Sequence, residues 1–402
     1  MIRGDISALC DRPVKKIAIV LPLAYGGGSL RGICLMAEAI LQGAKECGRA
    51  IELILVCLEG FNYTRQDAFK SLSPDIRLRT FRWHVVGRED AVNIMMNAGC
   101  SDYLLSEEFY AVIDDDMNCL NDCDLWIIIS DRVPAALLPL KPYIMMIYDY
   151  IQRYIPEIIA NDYIQLHAAN CAKKVWVTTN QTAQDAMQYA GIKSERITRM
   201  PMLVPQMDFQ PVPTLTRSYF VWTTNLSRHK NHLNSLKALR YYYDQLRGTL
   251  ECHITGVETT KLFDPEQGKL IEQFHASARM NEMLKLRGNL IDNVYQELLG
   301  NAAFLWHTAL IDNGTFSVVE AAQMGVPSLS SSYQAMRELQ DSFQLDIAWM
   351  NPDDPVDMAT QLKWMEDNYQ QLLLIRKRNS TIEGHFPKNK SEEYWRAVEE
   401  CL

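Results

Sequence analysis

Apolar runs of strand length alternate with amphipathic stretches of helix length along this chain, and the alternation breaks once and then restarts. KKIAIVLPL (15–23), IELILVCL (51–58), LWIIIS (125–130), KPYIMMIYD (141–149) and KKVWVTT (173–179) read as strands, with predicted helices near 30–47, 157–172 and 182–191. Runs that are apolar throughout are buried on both faces, as parallel strands covered by crossover helices must be. MPMLVPQMDFQPVPTLT (200–216) holds four prolines and no period, which marks a linker. RSYFVWTTN (217–225) opens a second series. A helix over 230–246 carries Leu233, Leu236, Leu239, Tyr243 and Leu246 as its apolar stripe. LECHITG (250–256), MLKLRGN (283–289), a helix over 293–302, FLWHTA (304–309) and VPSLSS (326–331) follow, and helices near 355–378 and 391–400 close the chain. The fold class this implies is α/β, as two doubly wound Rossmann-like domains. A chain of 402 residues has room for both. We place the first at 1–205, the second at 206–380 and a terminal helical segment at 381–402.

Composition excludes more than it selects. A formal net charge of −9 argues against a nucleic-acid partner, which a basic balance would favour. The ten cysteines include no Cys-x-x-Cys pair, so reduced thiols in a cytoplasmic protein are expected. Every apolar run is far shorter than the ~20 residues a membrane helix needs. Lys15-Lys16 before IAIVLPLA imitates a signal peptide, but the run ends in a Gly loop and reads as a buried strand.

The segment FLWHTALIDNGTFSVVEAAQMGVPSLSSS (304–332) is a strand, a Gly loop, a helix ended by Gly325 and a second strand. A helix N-terminus presents unpaired N–H groups and the positive dipole end, a seat for phosphate. Glu320, one turn inside, could reach a ribose. Ser317-x-x-Glu320 also reads as a capping box, with Glu320 bonded back to its own helix start. Each domain supplies one Gly loop after a strand, Gly26–Gly28 and Asn313-Gly314-Thr315, and ligands of such sheets sit beyond the carboxyl ends of the strands.

With these pieces in order, the chain resembles the retaining GT-B glycosyltransferases, specifically the large family four of that class. The resemblance is strongest over 217–340 and weaker over 15–35 and 141–205. It implies a GT-B architecture with a central cleft, and a terminal helix packed back on the first domain. It assigns the Gly-rich loop to Gly26, Gly27 and Gly28, and the Lys beside the donor diphosphate to Lys230 in FVWTTNLSRHKN, with Arg228 nearby. Gly256 matches a strand-ending Gly. Gly288, Leu290, Tyr295 and Ala302 match the segment whose backbone holds the base. The family's paired glutamates, seven residues between them, fall on Asp312 (donor sugar) and Glu320 (ribose). Gly314, Thr315 and Phe316 match the loop whose N–H groups meet the diphosphate. Asp149 matches the acid near the reacting carbon and is the candidate for positioning acceptor or sugar. Three positions depart: Asp312 is shorter than Glu, Tyr148 replaces a His, and the usual Arg six residues before the Lys is Thr224.

The implied activity moves a hexose from a nucleoside-diphosphate sugar to a hydroxyl of a glycan or lipid-linked glycan. GDP-mannose is favoured over a UDP-sugar, and no metal or other cofactor is expected. Bacterial surface polysaccharide suits such a family, as does peripheral association with the inner face of the membrane. The alternative is a non-catalytic GT-B relative that binds a ligand or partner. Asp114-x-Asp116 in VIDDDMN (112–118) resembles the metal motif of the other glycosyltransferase fold, but an exposed acidic loop is the preferred reading. Gly26-x-Gly28 with Glu59 permits a dinucleotide reading, but lacks the third Gly. His307 precedes the phosphate loop, as a donor contact or as a satisfied strand-end residue.

Overall fold

A computed structural model describes residues 13–63, 66–100, 104–155, 162–207, 216–313, 315–375 and 379–402. The first sheet has nine strands: β1 (Lys15–Leu21), β2 (Ile51–Leu58), β3 (Ile76–Gly87), β4 (Phe109–Asp114), β5 (Leu125–Ile129), β6 (Ala136–Leu137), β7 (Tyr143–Met146), β8 (Lys174–Val177) and β9 (Ile197–Arg199). Their spatial order is β6-β4-β3-β2-β1-β5-β7-β8-β9. The second has six: β10 (Tyr219–Thr223), β11 (Glu251–Thr255), β12 (Leu284–Gly288), β13 (Leu305–His307), β14 (Ser328–Ser331) and β15 (Ile347–Met350), in the order β12-β11-β10-β13-β14-β15. That is the doubly wound order, with its reversal between β10 and β13, and the first sheet reverses in the same way between β1 and β5.

Fully buried strands explain the apolar runs. Every residue of β5 is buried, and Ile17–Leu21 of β1 are inaccessible, so one strand feeds cores on both sheet faces. The expectation of parallel strands fails once. β3 and β4 pair antiparallel, Trp83 opposite Ile113. The sequence hid this: β3 reads IRLRTFRWHVVG, with half its positions exposed, because it lies toward the sheet edge where one face stays wet.

The helices used below are α1 (Gly27–Glu46), α2 (Asn180–Gln188), α3 (His232–Asp244), α4 (Asp292–Gly300), α5 (Phe316–Gln323), α6 (Gln334–Phe343), α7 (Pro355–Ile375) and α8 (Pro387–Glu399). α7 lies beside α3 on the second domain, and the chain then crosses back so that α8 packs along α1 of the first. Tyr394, Trp395 and Val398 complete the core beneath α1. The two helices touch backbone to backbone at Gly43, where a Cβ would stand 2.0 Å from the carbonyl oxygen of Ser391. Among the described residues, no helix is long and apolar enough to cross a membrane.

Candidate active site

The carboxyl ends of β1, β7 and β8 face those of β10 to β13 across a cleft of about 470 Å³. Ligands of open α/β sheets lie at such ends. The cleft is assembled by loops the strands throw into it.

After β10 the chain passes Thr224 and Asn225, makes one tight turn over Arg228–Lys230, and enters α3 through Asn231 at φ 61°. Lys230 points into the cleft and its ammonium donates to Asp312 Oδ2, in the loop after β13. Burial pushes the Asp312 carboxyl up, but the Lys230 ammonium and the neighbouring imidazoles outweigh it and hold the group below the ordinary value. Burial, with Lys230 beside it, drives His307 down to about 3 and His229 to about 4, so both rings are neutral at pH 7. His307 Nε2 lies 3.0 Å from the Tyr333 hydroxyl, a satisfied partner. Opposite, Asp149 follows β7 and accepts from the Ile151 N–H at 3.3 Å. Burial, then the charge of Asp312, raises its carboxyl to about 6.

Glu320 is 2% exposed and both its oxygens are taken. Arg31 Nη1, from α1 of the other domain, donates to Oε1 at 2.5 Å, and the Tyr295 hydroxyl donates to Oε2 at 2.8 Å. The capping-box reading is therefore wrong: Glu320 does not bond back to its helix start, and Thr315, the N-cap of α5, makes no side-chain cap. Ser317 instead accepts from the Thr223 hydroxyl at 3.0 Å. Thr315, Phe316 and Ser317 line the cleft, so the first turn of α5 opens on it.

The glycines serve close approach. A Cβ on Gly28 or Gly32 would stand 3.1 or 3.3 Å from the Phe316 ring, which bridges the domains there. Gly27 starts α1 at φ 55°. A Cβ on Gly256, at φ 138°, would lie 1.8 Å from the Thr224 carbonyl oxygen. The Gly288 carbonyl accepts from Thr255 Oγ1 and the Gly256 N–H, at 2.8 and 2.9 Å, which sets Leu290 on the cleft wall.

Other bonds hold the cleft together across the domains. Asn313 Nδ2 donates to Thr178 Oγ1 at 2.6 Å, and its Oδ1 accepts from the hydroxyls of Thr179 and Thr182. Glu338 of α6 accepts from the N–H groups of Asn180 and Gln181 at the start of α2, at 2.6 and 2.9 Å.

Solved structures with this arrangement span nearly the whole chain at low identity. HepE from Anabaena, in complex with UDP and glucose, has a TM-score of 0.66 and 15% identity, covering 96% of this chain and 100% of its own. Sucrose-phosphate synthase from Thermosynechococcus elongatus has a TM-score of 0.64 and 12% identity, covering 96% and 100%. A glycosyltransferase from Rickettsia africae has a TM-score of 0.62 and 12% identity, covering 97% and 98%. The fold is GT-B. No protein-family model and no curated protein matches the sequence.

Within this GT-B cleft lie Gly27, Gly28, Asp149, Lys230, Leu290, Asp312, Thr315, Phe316 and Glu320. Gly288 is not in the lining but immediately precedes Asn289 and Leu290, which are, and Gly314 lies outside the described residues. Arg228 is not brought in. It is exposed at the start of the tight turn, where two positions rotate it well away from the direction of Lys230. The acidic motif is structural in its contacts: Arg82 pairs with Asp114 and Asp116, and Arg79 with Asp115 at 2.9 Å. Asp115 also accepts from the N–H groups of Asn118 and Cys119. Glu59, the acid of the dinucleotide reading, is exposed and off the cleft wall. Arg31 went unnoticed in the sequence. Its signal was a lone cation one turn into a helix that begins on a Gly loop, where the dipole disfavours positive charge.

Proposed function

We propose that the chain is a nucleotide-sugar-dependent glycosyltransferase, retaining and metal-independent, acting on a hydroxyl of a glycan or lipid-linked glycan. The observation that carries this reading is one wall of the cleft. Lys230, the uncapped start of α5 and the buried Glu320 line the same cleft, a cation and free N–H groups for a diphosphate and a carboxylate for a ribose.

Transfer builds positive charge at the anomeric carbon and negative charge on the leaving diphosphate. A fixed ammonium and oriented N–H groups on that diphosphate favour the transition state over the ground state. Asp312 would hold the sugar and Lys230 together, and Glu320 the ribose. The backbone at Gly288–Leu290 would hold the base. The acceptor proton would leave on a phosphate oxygen of the departing group, with Asp149 positioning acceptor or sugar. Charge compensation by Lys230 and α5 leaves no step that needs a metal.

GDP-mannose is the donor the sequence resemblance favours, and the UDP and glucose on HepE make UDP-glucose the first competitor. Activity at the cytoplasmic face of a membrane fits a lipid-linked acceptor. A non-catalytic binding protein is the second reading, favoured by Thr224 and Tyr148 where the family has Arg and His.

Thermal shift with UDP, GDP, UDP-glucose and GDP-mannose tests the donor site. A ligand at one hundred times its Kd adds about 2.7 kcal/mol of stability, and no shift with any of the four would reject the reading. Release of nucleoside diphosphate from the bound sugar nucleotide separates enzyme from binder.

A further inference from the structure

Among the described residues lining the cleft, the only cationic side chains are Arg31 and Lys230, against five carboxylates: Asp67, Asp149, Asp292, Asp312 and Glu320. Lys230 is already shared with Asp312. A diphosphate entering this acidic space needs a second cation, and among the described residues of the C-terminal domain none besides Lys230 lines the cleft. Position 224 is Thr, and Arg228 is exposed.

Arg31 is placed for that task. Its side chain is 19% exposed, and the guanidinium is forked between two acids of the opposite domain: Nη1 on Glu320 Oε1 and Nη2 on Asp292 Oδ1, at 2.5 and 2.6 Å. On the donor reading above, Glu320 takes the ribose hydroxyls. With Nη1 already on Oε1 and the Tyr295 hydroxyl on Oε2, the ribose hydroxyls compete with Arg31 for Glu320, and Nη1 is the donor that has another partner to go to. The group next to a ribose along a nucleotide is the diphosphate, and Asp292 can keep its grip on Nη2 while Nη1 changes partner. Arg31 also lies one turn from Gly27, where α1 begins on the cleft wall without a side-chain cap.

We propose that Arg31 is a second diphosphate ligand, contributed by the N-terminal domain, which exchanges Glu320 for the donor's phosphate when the ribose engages Glu320. The proposal rests on the donor reading. It makes affinity for phosphate, and not for the nucleoside, depend on α1, so donor binding requires the two domains to be closed on each other.

Calorimetric titration with uridine, UMP and UDP, and with guanosine, GMP and GDP, tests it on the whole chain. Arg31→Met should weaken the diphosphate roughly tenfold to a hundredfold, the range of a lost bond to a charged group. It should leave the nucleoside as tightly bound or tighter, because Glu320 is uncovered. Arg31→Lys should fall between wild type and Arg31→Met. The ratio of nucleoside to diphosphate Kd is internal to each variant, so general destabilisation does not imitate the result. Equal weakening of nucleoside and diphosphate would show a structural contact only, and unchanged or tighter UDP or GDP would show a mere obstruction. Either outcome overturns the inference and leaves the donor reading standing. Failure of the wild type to bind any of the six overturns both.

Discussion

Lys230 and Asp312, 82 residues apart, form an ion pair at the carboxyl ends of the adjacent strands β10 and β13. The pair stands at the reversal of strand order, where two loops diverge and leave a crevice. Each side chain is 16% exposed, so neither charge is well solvated by itself.

Removing one member should therefore cost more than removing both. Lys230→Met leaves Asp312 uncompensated and should destabilise the chain by about 3 kcal/mol. Lys230→Met with Asp312→Asn should recover most of that in a denaturant titration. Nucleotide affinity should stay lost in the double variant, and any turnover should fall ~10²–10³-fold in the single. A double variant that binds UDP or GDP like wild type contradicts the role given to Lys230.

Asp149 makes stability depend on pH in a stated direction. Its carboxyl is raised to about 6 from an ordinary value of 3.8, first by burial and then by Asp312. A raised acid is disfavoured when charged, so it subtracts stability above about pH 6. The penalty is relieved as pH falls from 6 toward 4. Asp149→Asn should thus stabilise the protein by about 3 kcal/mol at pH 8, from two units at about 1.4 kcal/mol each, and by little at pH 4. Melting curves at the two pH values decide it; equal gains at both would refute the cause given.

Gly256 should tolerate no side chain. Alanine there would stand 1.8 Å from the Thr224 carbonyl oxygen on a backbone at φ 138°. Gly256→Ala should lose roughly 3–5 kcal/mol and displace the loop that carries Lys230. Wild-type melting temperature and nucleotide affinity in this variant would remove the argument for close approach.

Metal should not matter. EDTA should leave nucleotide affinity and turnover unchanged, and Asp114→Asn with Asp116→Asn should do the same, because Arg82 already pairs with both acids. A loss of activity on chelation, restored by Mg²⁺ or Mn²⁺, would reopen the metal reading of that motif.

The sequence showed the fold where burial is uniform and concealed it where burial is one-sided. β1, β2, β5 and β10 are apolar on both faces and so declare themselves. β3 is amphipathic and β4 offers only four consecutive buried residues, Tyr110–Ile113, before its acidic end, so their antiparallel pairing was not legible. In the cleft, residues whose position follows from local chain geometry were legible: Lys230 after a strand, Asp312 and Glu320 around one helix start, all three on the cleft wall. Arg228 was misplaced because two residues of a tight turn change a side chain's direction, which proximity in sequence does not register.

Strand and helix periodicity and the loop–helix at 304–332 were determined by the chain itself, since each follows from the preferences of residues near in sequence; the proline-rich break at 200–216 lies partly outside the described residues. Only the tertiary structure placed Arg31 on Glu320, Phe316 against Gly28 and Gly32, and Asn313 among the hydroxyls of Thr178, Thr179 and Thr182. These contacts join residues more than 130 positions apart, across two domains whose faces carry no periodic pattern. Such complementarity is set by how two finished surfaces meet, and no local preference of the backbone encodes it.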